Sequence, residues 1–539
     1  MDKYPDFFTE TIRKDLQMDD IEKVIPFVEN IINVTILNQI SGPLQTDSSK
    51  ENIIKYCIEY NRSIAKGINH LKINEYQLKY GDKGFSSNIQ LPILEMKDGT
   101  TIPILRDIYI ISHPADCENI AMNNIKKLPN FKPIVADSII STTDNDHWRN
   151  QRYSLNKGFL PNRVLKHLFK DSNELASKSV GKLIKRMELT NHSLDKVNEP
   201  GTRSYSIDMN DFLLELTQEQ VQRVLLGMSK DFTDETNKKI RNAFSGKGES
   251  GYTRDFAFNV FDEIKKNKAT FSLDAKKGIF GPISAIIGAD IKEKISTENY
   301  GNIVLLAFAG HDTTGHTLTW LLHELSKNIS IQSKLRREID RFWKSHLGNI
   351  CYNDLKELPF MTKCIHETLR LWPAVANGTF RELEKDTYIH GHGDKKVLLP
   401  KGSYTQLFNW SRHRNKSLWG EDADQFNPDR QWLDNEIWRD SGFAAYNPSS
   451  QRFSPFSYAP RDCLGKNFAQ MEMRLILLYL LTSFYFFEEE SDIHQHGYNR
   501  ATLAPINTYA NHNYPDTLLP VLETGCYMKV IKRKQHSHL

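Results

Sequence analysis

Apolar residues return every three or four positions along most of this chain, and only in a few short runs every second one. The helical period marks segments near 161–187, 208–228, 300–328, 355–372 and 464–484. Ahead of them, "IQLPILEMKDGTTIPILRDIYIIS" holds two strand-like runs joined at Asp98-Gly99, a dipeptide suited to a tight hairpin turn. Strand-like runs come back in "KKVLLPKGSYTQLF" and in "TLLPVLETGCYMKVIKR". Helix follows helix without a strand–helix alternation, which predicts a mainly α fold with small β-sheets. No internal repeat or low-complexity tract divides the 539 residues. The expected organisation is therefore one large domain over residues 60–539 behind a polar, weakly patterned N-terminal extension, residues 1–59.

Composition then excludes whole classes. With 39% hydrophobic residues the chain can bury a sizeable core, and 70 Lys and Arg against 67 Asp and Glu leave a net charge of only +3. That balance gives no broad field for nucleic acid, so no nucleic-acid partner is expected. No G-x-G-x-x-G follows a strand and no P-loop occurs, which argues against nucleotide binding. The N-terminus "MDKYPDFFTETIRKDLQMDD" is too charged for a secretory signal. "VIPFVENIINVTILNQI" is interrupted by Pro26 and Glu29 and falls short of the ~20 apolar residues a bilayer demands. The expected location is the cytoplasm or the membrane periphery, with no signal peptide and no transmembrane anchor.

Six cysteines (Cys57, Cys117, Cys351, Cys364, Cys463, Cys526) lack C-x-x-C spacing, which argues against a disulfide framework or a structural zinc site. Five read as small buried hydrophobes. Cys463 differs, because it stands directly before a long apolar helical pattern. Free N–H groups of the first helical turn would face its sulfur, and Arg461 adds positive charge two residues away. Both favour the thiolate, the form that binds metal. Gly465 leaves room for another group to approach. One thiolate with no neighbouring Cys or His suits a cofactor that brings its other ligands along, as haem does with four porphyrin nitrogens.

Here the residues resemble a known family. "FSYAPRDCLG", Phe456 to Gly465, is similar to the haem-binding loop F-x-x-G-x-R-x-C-x-G of the cytochrome P-450 haem-thiolate enzymes, with Ala459 in place of the first glycine. "AGHDTT", Ala309 to Thr314, resembles the family's oxygen-activation motif (A/G)-G-x-(D/E)-T-(T/S). Taken alone, that hexamer reads equally as a solvated Asp beside two cap-like threonines. In "FMTKCIHETLRLWP", Glu367 and Arg370 match the family's E-x-x-R helix, and Arg430 in "FNPDRQW" matches the arginine that completes its ion-pair network. Trp148 and Arg152 in "DNDHWRNQRYSLNKGF" look like the W-x-x-x-R pair that reaches a haem propionate, and Arg381 in "NGTFRELEKD" resembles a second propionate ligand.

The resemblance implies a single-domain P-450 fold, haem b as cofactor and Cys463 as axial iron ligand, with Arg461, Trp148, Arg152 and Arg381 binding the cofactor. Thr313 and Asp312 would be catalytic, handling protons beside bound oxygen, and Glu367, Arg370 and Arg430 would be structural. The implied reaction is insertion of one oxygen atom into an apolar small molecule by a monomer. Electrons would come from a separate NAD(P)H-dependent reductase or ferredoxin-type donor, docked near a basic patch of Lys466, Arg452 and Arg149. Two other readings stay open: a haem-thiolate peroxide isomerase or dehydratase, and a non-catalytic haem-binding protein of the same fold. Insertions near 433–453 and 504–517 depart from the family pattern.

Overall fold

The computed structural model describes residues 63, 69–80, 88–96, 103–128, 131–190, 193–194, 203–245, 248–249, 251–267, 281–288, 291, 293–346, 348–391, 395–437, 449–489 and 525–533. The expectations for residues 1–59, the Asp98-Gly99 turn and 504–517 lie outside them, as does most of the 433–453 insertion. The longer helices are α1 (Asn69–Tyr80), α2 (Pro114–Asn123), α3 (Asn145–Phe159), α4 (Asn162–Leu189), α5 (Met209–Gln220), α6 (Lys230–Phe244), α7 (Tyr252–Lys266), α8 (Thr297–Lys327), α9 (Ile329–His346), α10 (Pro359–Leu371) and α11 (Lys466–Ser483). None of the described helices is long and apolar enough to cross a membrane.

Among the described residues three small sheets accompany the helices. Strands β1 (Ile89–Met96), β2 (Pro103–Ile111), β5 (Thr379–Glu382) and β8 (Tyr404–Leu407) form one in the order β1-β2-β8-β5. The expected hairpin is present, with Ile89 opposite Ile110 and Met96 opposite Pro103. Strands β3 (Ser193–Leu194), β4 (Ser204–Asp208), β9 (Phe484–Glu488) and β10 (Tyr527–Lys532) form the second, ordered β3-β4-β10-β9. Strands β6 (Thr387–His390) and β7 (Lys396–Leu399) pair alone.

Helix α8 is the axis of the core. Ser296 caps it by accepting from Asn299 N–H, and both its apolar residues and its His, Thr and Asp side chains are largely buried. A helix polar on one face and still enclosed needs close neighbours. Gly310 and Gly315 admit them: a Cβ on Gly310 would lie 2.7 Å from Val221 Cγ2, and one on Gly315 would lie 2.8 Å from Leu214 Cδ2. Gly315 therefore serves the packing of α8 on α5, and Gly310 its packing on the π-helical turn Val221–Leu225 that follows α5. Thr217 Oγ1 locks that contact by donating to the His311 carbonyl at 3.0 Å.

Two expectations are corrected by local geometry. The helix expected from 355 begins only at Pro359; a 3-10 turn, Tyr352–Glu357, precedes it. Cys351 is not a buried hydrophobe but an exposed N-cap for that turn, whereas Cys117, Cys364 and Cys526 are buried as expected.

Candidate functional site

Cys463 lies in the loop that leads into α11. Its N–H donates to the Phe456 carbonyl at 2.8 Å, which closes the loop on itself, and Gly465 is the N-cap of the helix. The left-handed residue of this bend is Ser457, at φ 64°; Ala459 lies outside that region and carries no backbone strain from its Cβ. Cys463 is exposed by its accessible area, and the protein packed around its sulfur pushes the pKa above the ordinary cysteine value. Lys466, the Gly465 N–H and Arg152 pull in the opposite direction without prevailing.

This corrects the expected activation of the sulfur. Arg461 turns away from it: Nε donates to the Ile125 carbonyl at 3.0 Å, Nη1 to the Ile139 carbonyl at 3.1 Å, and the guanidinium lies 4.3 Å from the centre of the Trp148 ring. A coordinated metal deprotonates a ligating thiol by its own charge, in addition to the pull of Lys466, the Gly465 N–H and Arg152.

Arg152 and Lys466 converge on the neighbour of the cysteine. Arg152 donates to the Asp462 carbonyl and to its Oδ1, both at 2.7 Å, while Lys466 Nζ meets Oδ2 at 2.8 Å. Trp148 and Arg152, four apart on α3, thus brace the loop, one through Arg461 and one through Asp462.

The strongest mark of an absent partner is a set of buried cations. Arg381 is fully buried, and only its Nη1 has a hydrogen bond, to the Phe380 carbonyl at 2.8 Å; Nε and Nη2 have none, nor has Arg461 Nη2. Burial pushes the pKa of Arg381 down to about 10. Burial, then Arg381, pushes Arg461 down to about 9. Lys127, also buried, is held well below its ordinary value by burial and by both arginines. Among the described residues none of the three forms an ion pair. Three buried cations with spare donors fit a dianion, and the two carboxylates of haem meet that demand. Lys127 escaped the sequence reading because "NNIKKLPN" looks like any solvated lysine pair.

The expected structural triad is complete. Glu367 Oε2 accepts from Arg370 Nε and from Arg430 Nε, each at 2.8 Å; Oε1 accepts from Arg370 Nη2 and the Asn427 N–H, each at 2.9 Å. Arg370 also donates to the carbonyls of His413 and Ala423 at 2.7 Å. All three side chains are buried, so the network is fully desolvated and richly hydrogen-bonded.

On α8, Asp312 is buried and Thr313 half-buried. Thr313 Oγ1 donates to the Ala309 carbonyl at 2.9 Å, one turn back. His316 Nδ1 donates to the Asp312 carbonyl at 2.9 Å and lies 3.4 Å from Asp312 Oδ1, a neighbour the motif alone did not reveal. The solvated-Asp reading of this hexamer fails on burial.

The expected basic patch does not form from the named residues. Lys466 is buried against Asp462, Arg452 forks onto Glu436 at 2.8 and 2.7 Å, and exposed Arg149 pairs with Asp146.

Comparison with known proteins bears on the fold and the family. The family model for Cytochrome P450 matches residues 248–509. The putative cytochrome P450 CYP13A2 of Caenorhabditis elegans is 30% identical over 238 residues, which are 44% of this chain and 42% of that protein, so the match spans about two fifths of the relative's length. Cytochrome P450 94B1 of Arabidopsis thaliana is 24% identical over 415 residues, 70% of this chain and 77% of that one. A crystal structure of a cytochrome P450, CYP102L1, superposes with a TM-score of 0.61 at 17% identity, covering 88% of this chain and 96% of the other. Residues 248–509 of the chain match the cytochrome P450 family, whose cofactor is haem.

Proposed function

We propose that this chain is a haem-thiolate monooxygenase. It inserts one atom of O2 into an apolar small molecule, acts as a monomer, and takes electrons from a separate reductase or ferredoxin-type donor. The observation that carries the reading is the coincidence of an exposed thiol in the loop leading into α11 with three buried cations that form no ion pair among the described residues.

Cys463 Sγ would ligate the haem iron, and Arg381, Arg461 and Lys127 would take the two haem carboxylates. Bound haem supplies oxygen activation with electrons from outside the chain. The remaining chemistry falls to α8. Thr313 Oγ1 carries a proton now committed to the Ala309 carbonyl; a χ1 rotation would turn that hydroxyl toward a ligand. Asp312 would accept protons from the solvent side, with His316 fixing the turn that presents it. Buried Asp312 beside Thr313 favours oxygenase chemistry over peroxide rearrangement, which needs no proton delivery.

The test is the absorption spectrum of the reduced, carbon monoxide-bound protein, followed by substrate-dependent NADPH consumption with an added reductase. Wild type should give the strongly red-shifted Soret band of thiolate ligation, and Cys463→Ala should lose it. A wild-type spectrum without that band defeats the haem-thiolate assignment. The band without any O2-dependent product would leave a haem protein that is no oxygenase.

A further inference from the structure

Away from the haem-binding region, α9 ends in a group of donors that no part of the proposed reaction uses. His346 is its last residue, and the short loop beyond it leads into the 3-10 turn Tyr352–Glu357. The His346 ring is oriented from both sides. Nδ1 donates to the Phe342 carbonyl at 2.8 Å, and the ring stacks on Phe342 at 4.3 Å. In the neutral imidazole the proton is thereby fixed on Nδ1, and the lone pair is left on Nε2. Metal-binding histidines are commonly oriented by this kind of hydrogen bond to a carbonyl.

Nε2 looks at two carboxylates without touching either. Asp354 Oδ2 lies 3.8 Å away and Glu357 Oε2 3.7 Å away, and the three donor atoms all fall within 4.8 Å of one another. Such gaps are too long for hydrogen bonds. They are what an ion at about 2.0–2.2 Å from each atom would span at an open ligand–metal–ligand angle. A thiol adjoins them outside that cluster: the exposed Cys351 Sγ donates to Asp354 Oδ1 at 3.2 Å, and the Cys351 N–H donates to Asp354 Oδ2 at 2.7 Å. The backbone therefore fixes one carboxylate and a carbonyl fixes the imidazole; Glu357 stays solvent-facing, and the thiol would have to leave Asp354 Oδ1 to reach an ion.

The other His–carboxylate group among the described residues lacks this openness. Asp116 already accepts from Asn88 Nδ2, the His390 N–H and His390 Nδ1, and the rings of His113 and His390 stack only 18° from parallel, so their in-plane lone pairs do not converge.

We propose that His346, Cys351, Asp354 and Glu357 form a surface site for a zinc-like divalent transition-metal ion, separate from the haem. Nitrogen, thiolate and carboxylate donors together suit Zn2+ or Co2+ and disfavour Mg2+ or Ca2+, which require oxygen throughout. On binding, the Cys351 proton leaves to solvent and the sulfur joins the ion; no oxidation occurs. The ion would pin the α9 terminus to the turn that leads into α10, the helix carrying Glu367 and Arg370.

The experiment uses the full-length holoprotein. Zn2+ is titrated by calorimetry, and alkylation of Cys351 by iodoacetamide is followed by peptide mass with and without Zn2+. One equivalent should bind, and saturating Zn2+ should slow alkylation at Cys351 about tenfold or more. His346→Ala and Glu357→Gln should each weaken binding about tenfold or more, in keeping with ligand contributions to metal affinity. Glu357 is solvent-facing, so its variant reads the site even if the histidine change unsettles α9. Co2+ should add a thiolate-to-metal charge-transfer band that Cys351→Ser abolishes. Unchanged alkylation under saturating Zn2+, or equal Zn2+ affinity in wild type and both variants, overturns the proposal. Neither result bears on the haem spectrum.

Discussion

Arg152 grips Asp462 at two points, through the backbone carbonyl and through Oδ1, each at 2.7 Å, and Asp462 immediately precedes Cys463. The thiol-bearing loop is thus held by a helix far from it in sequence. Arg152→Ala should lower the thiolate-ligated fraction in reduced carbon monoxide spectra several-fold while far-ultraviolet circular dichroism stays unchanged. Arg152→Lys, with one ammonium in place of a fork, should restore only part of it. An Arg152→Ala protein with the full spectral band would remove the bracing role.

Arg381 makes a prediction of opposite sign in the two states of the protein. Its buried guanidinium has two unsatisfied nitrogens, a burden on the haem-free chain and an asset to the loaded one. Arg381→Met should raise the thermal midpoint of the haem-free protein, by about 1–3 kcal/mol in stability. The same change should speed haem loss to an acceptor about tenfold or more. If the variant destabilises the haem-free protein, the cation is satisfied by something other than the cofactor.

Among the described residues Glu367 is the acid that Arg370 and Arg430 share, and Arg430 has a longer second pairing with Asp422 Oδ1 at 3.4 Å. Glu367→Gln leaves two buried guanidinium groups facing a neutral amide. The expected loss is about 3–5 kcal/mol, the cost of breaking a buried pair by removing one partner. Urea unfolding of the soluble fraction measures it, and a loss below about 1 kcal/mol would contradict the desolvated network.

Four histidines set the acid limit of stability. Burial pushes the pKa of His311 down to about 4 and those of His70 and His366 down to about 3, and it holds His413 well below its usual value. Their folded values lie below the unfolded value near 6.5, so between pH 6.5 and 4 the unfolded chain binds protons that the native chain refuses. Stability is fully present above pH 6.5 and falls as the pH drops, by up to about 1.4 kcal/mol per pH unit for each histidine. Urea midpoints at pH 7, 6 and 5 should decline, and less steeply in His311→Gln. A midpoint that stays flat from pH 7 to 5 would refute the assignment.

Asp312 and His316 can be separated from haem binding. Asp312→Asn should reduce substrate oxidation about a hundredfold, within the usual range for losing a proton-handling group, while the carbon monoxide spectrum remains that of wild type. His316→Ala should produce a smaller loss and move the pH profile of turnover. An unchanged rate in Asp312→Asn would assign proton delivery elsewhere.

The sequence made the axis of the fold and much of the site legible for a physical reason. Helix α8 carries a strong apolar period and a Ser cap, and the motifs around Glu367, Asp312 and Cys463 are contiguous stretches whose spacing survives in a linear reading. What stayed hidden depends on distance in the chain. Nothing in "RDC" reveals that Arg461 points to Ile125 and Ile139 rather than to the sulfur, or that Arg152 and Lys466 both seek Asp462. Lys127 is unremarkable until Arg381 and Arg461 arrive beside it. The packing of Gly310 against Val221 depends on a helix crossing that periodicity does not encode.

The contacts that hold the cysteine loop join residues 310, 322 and 336 positions apart. At a synthesis rate of about 5–20 residues per second, α3 leaves the ribosome roughly 15–60 s before the loop it must clasp. The clasp of Arg152 on Asp462 therefore cannot form until most of the chain has been made, and a polypeptide truncated before Asp462 would carry most of the helices but neither that clasp nor the Cys463 thiol.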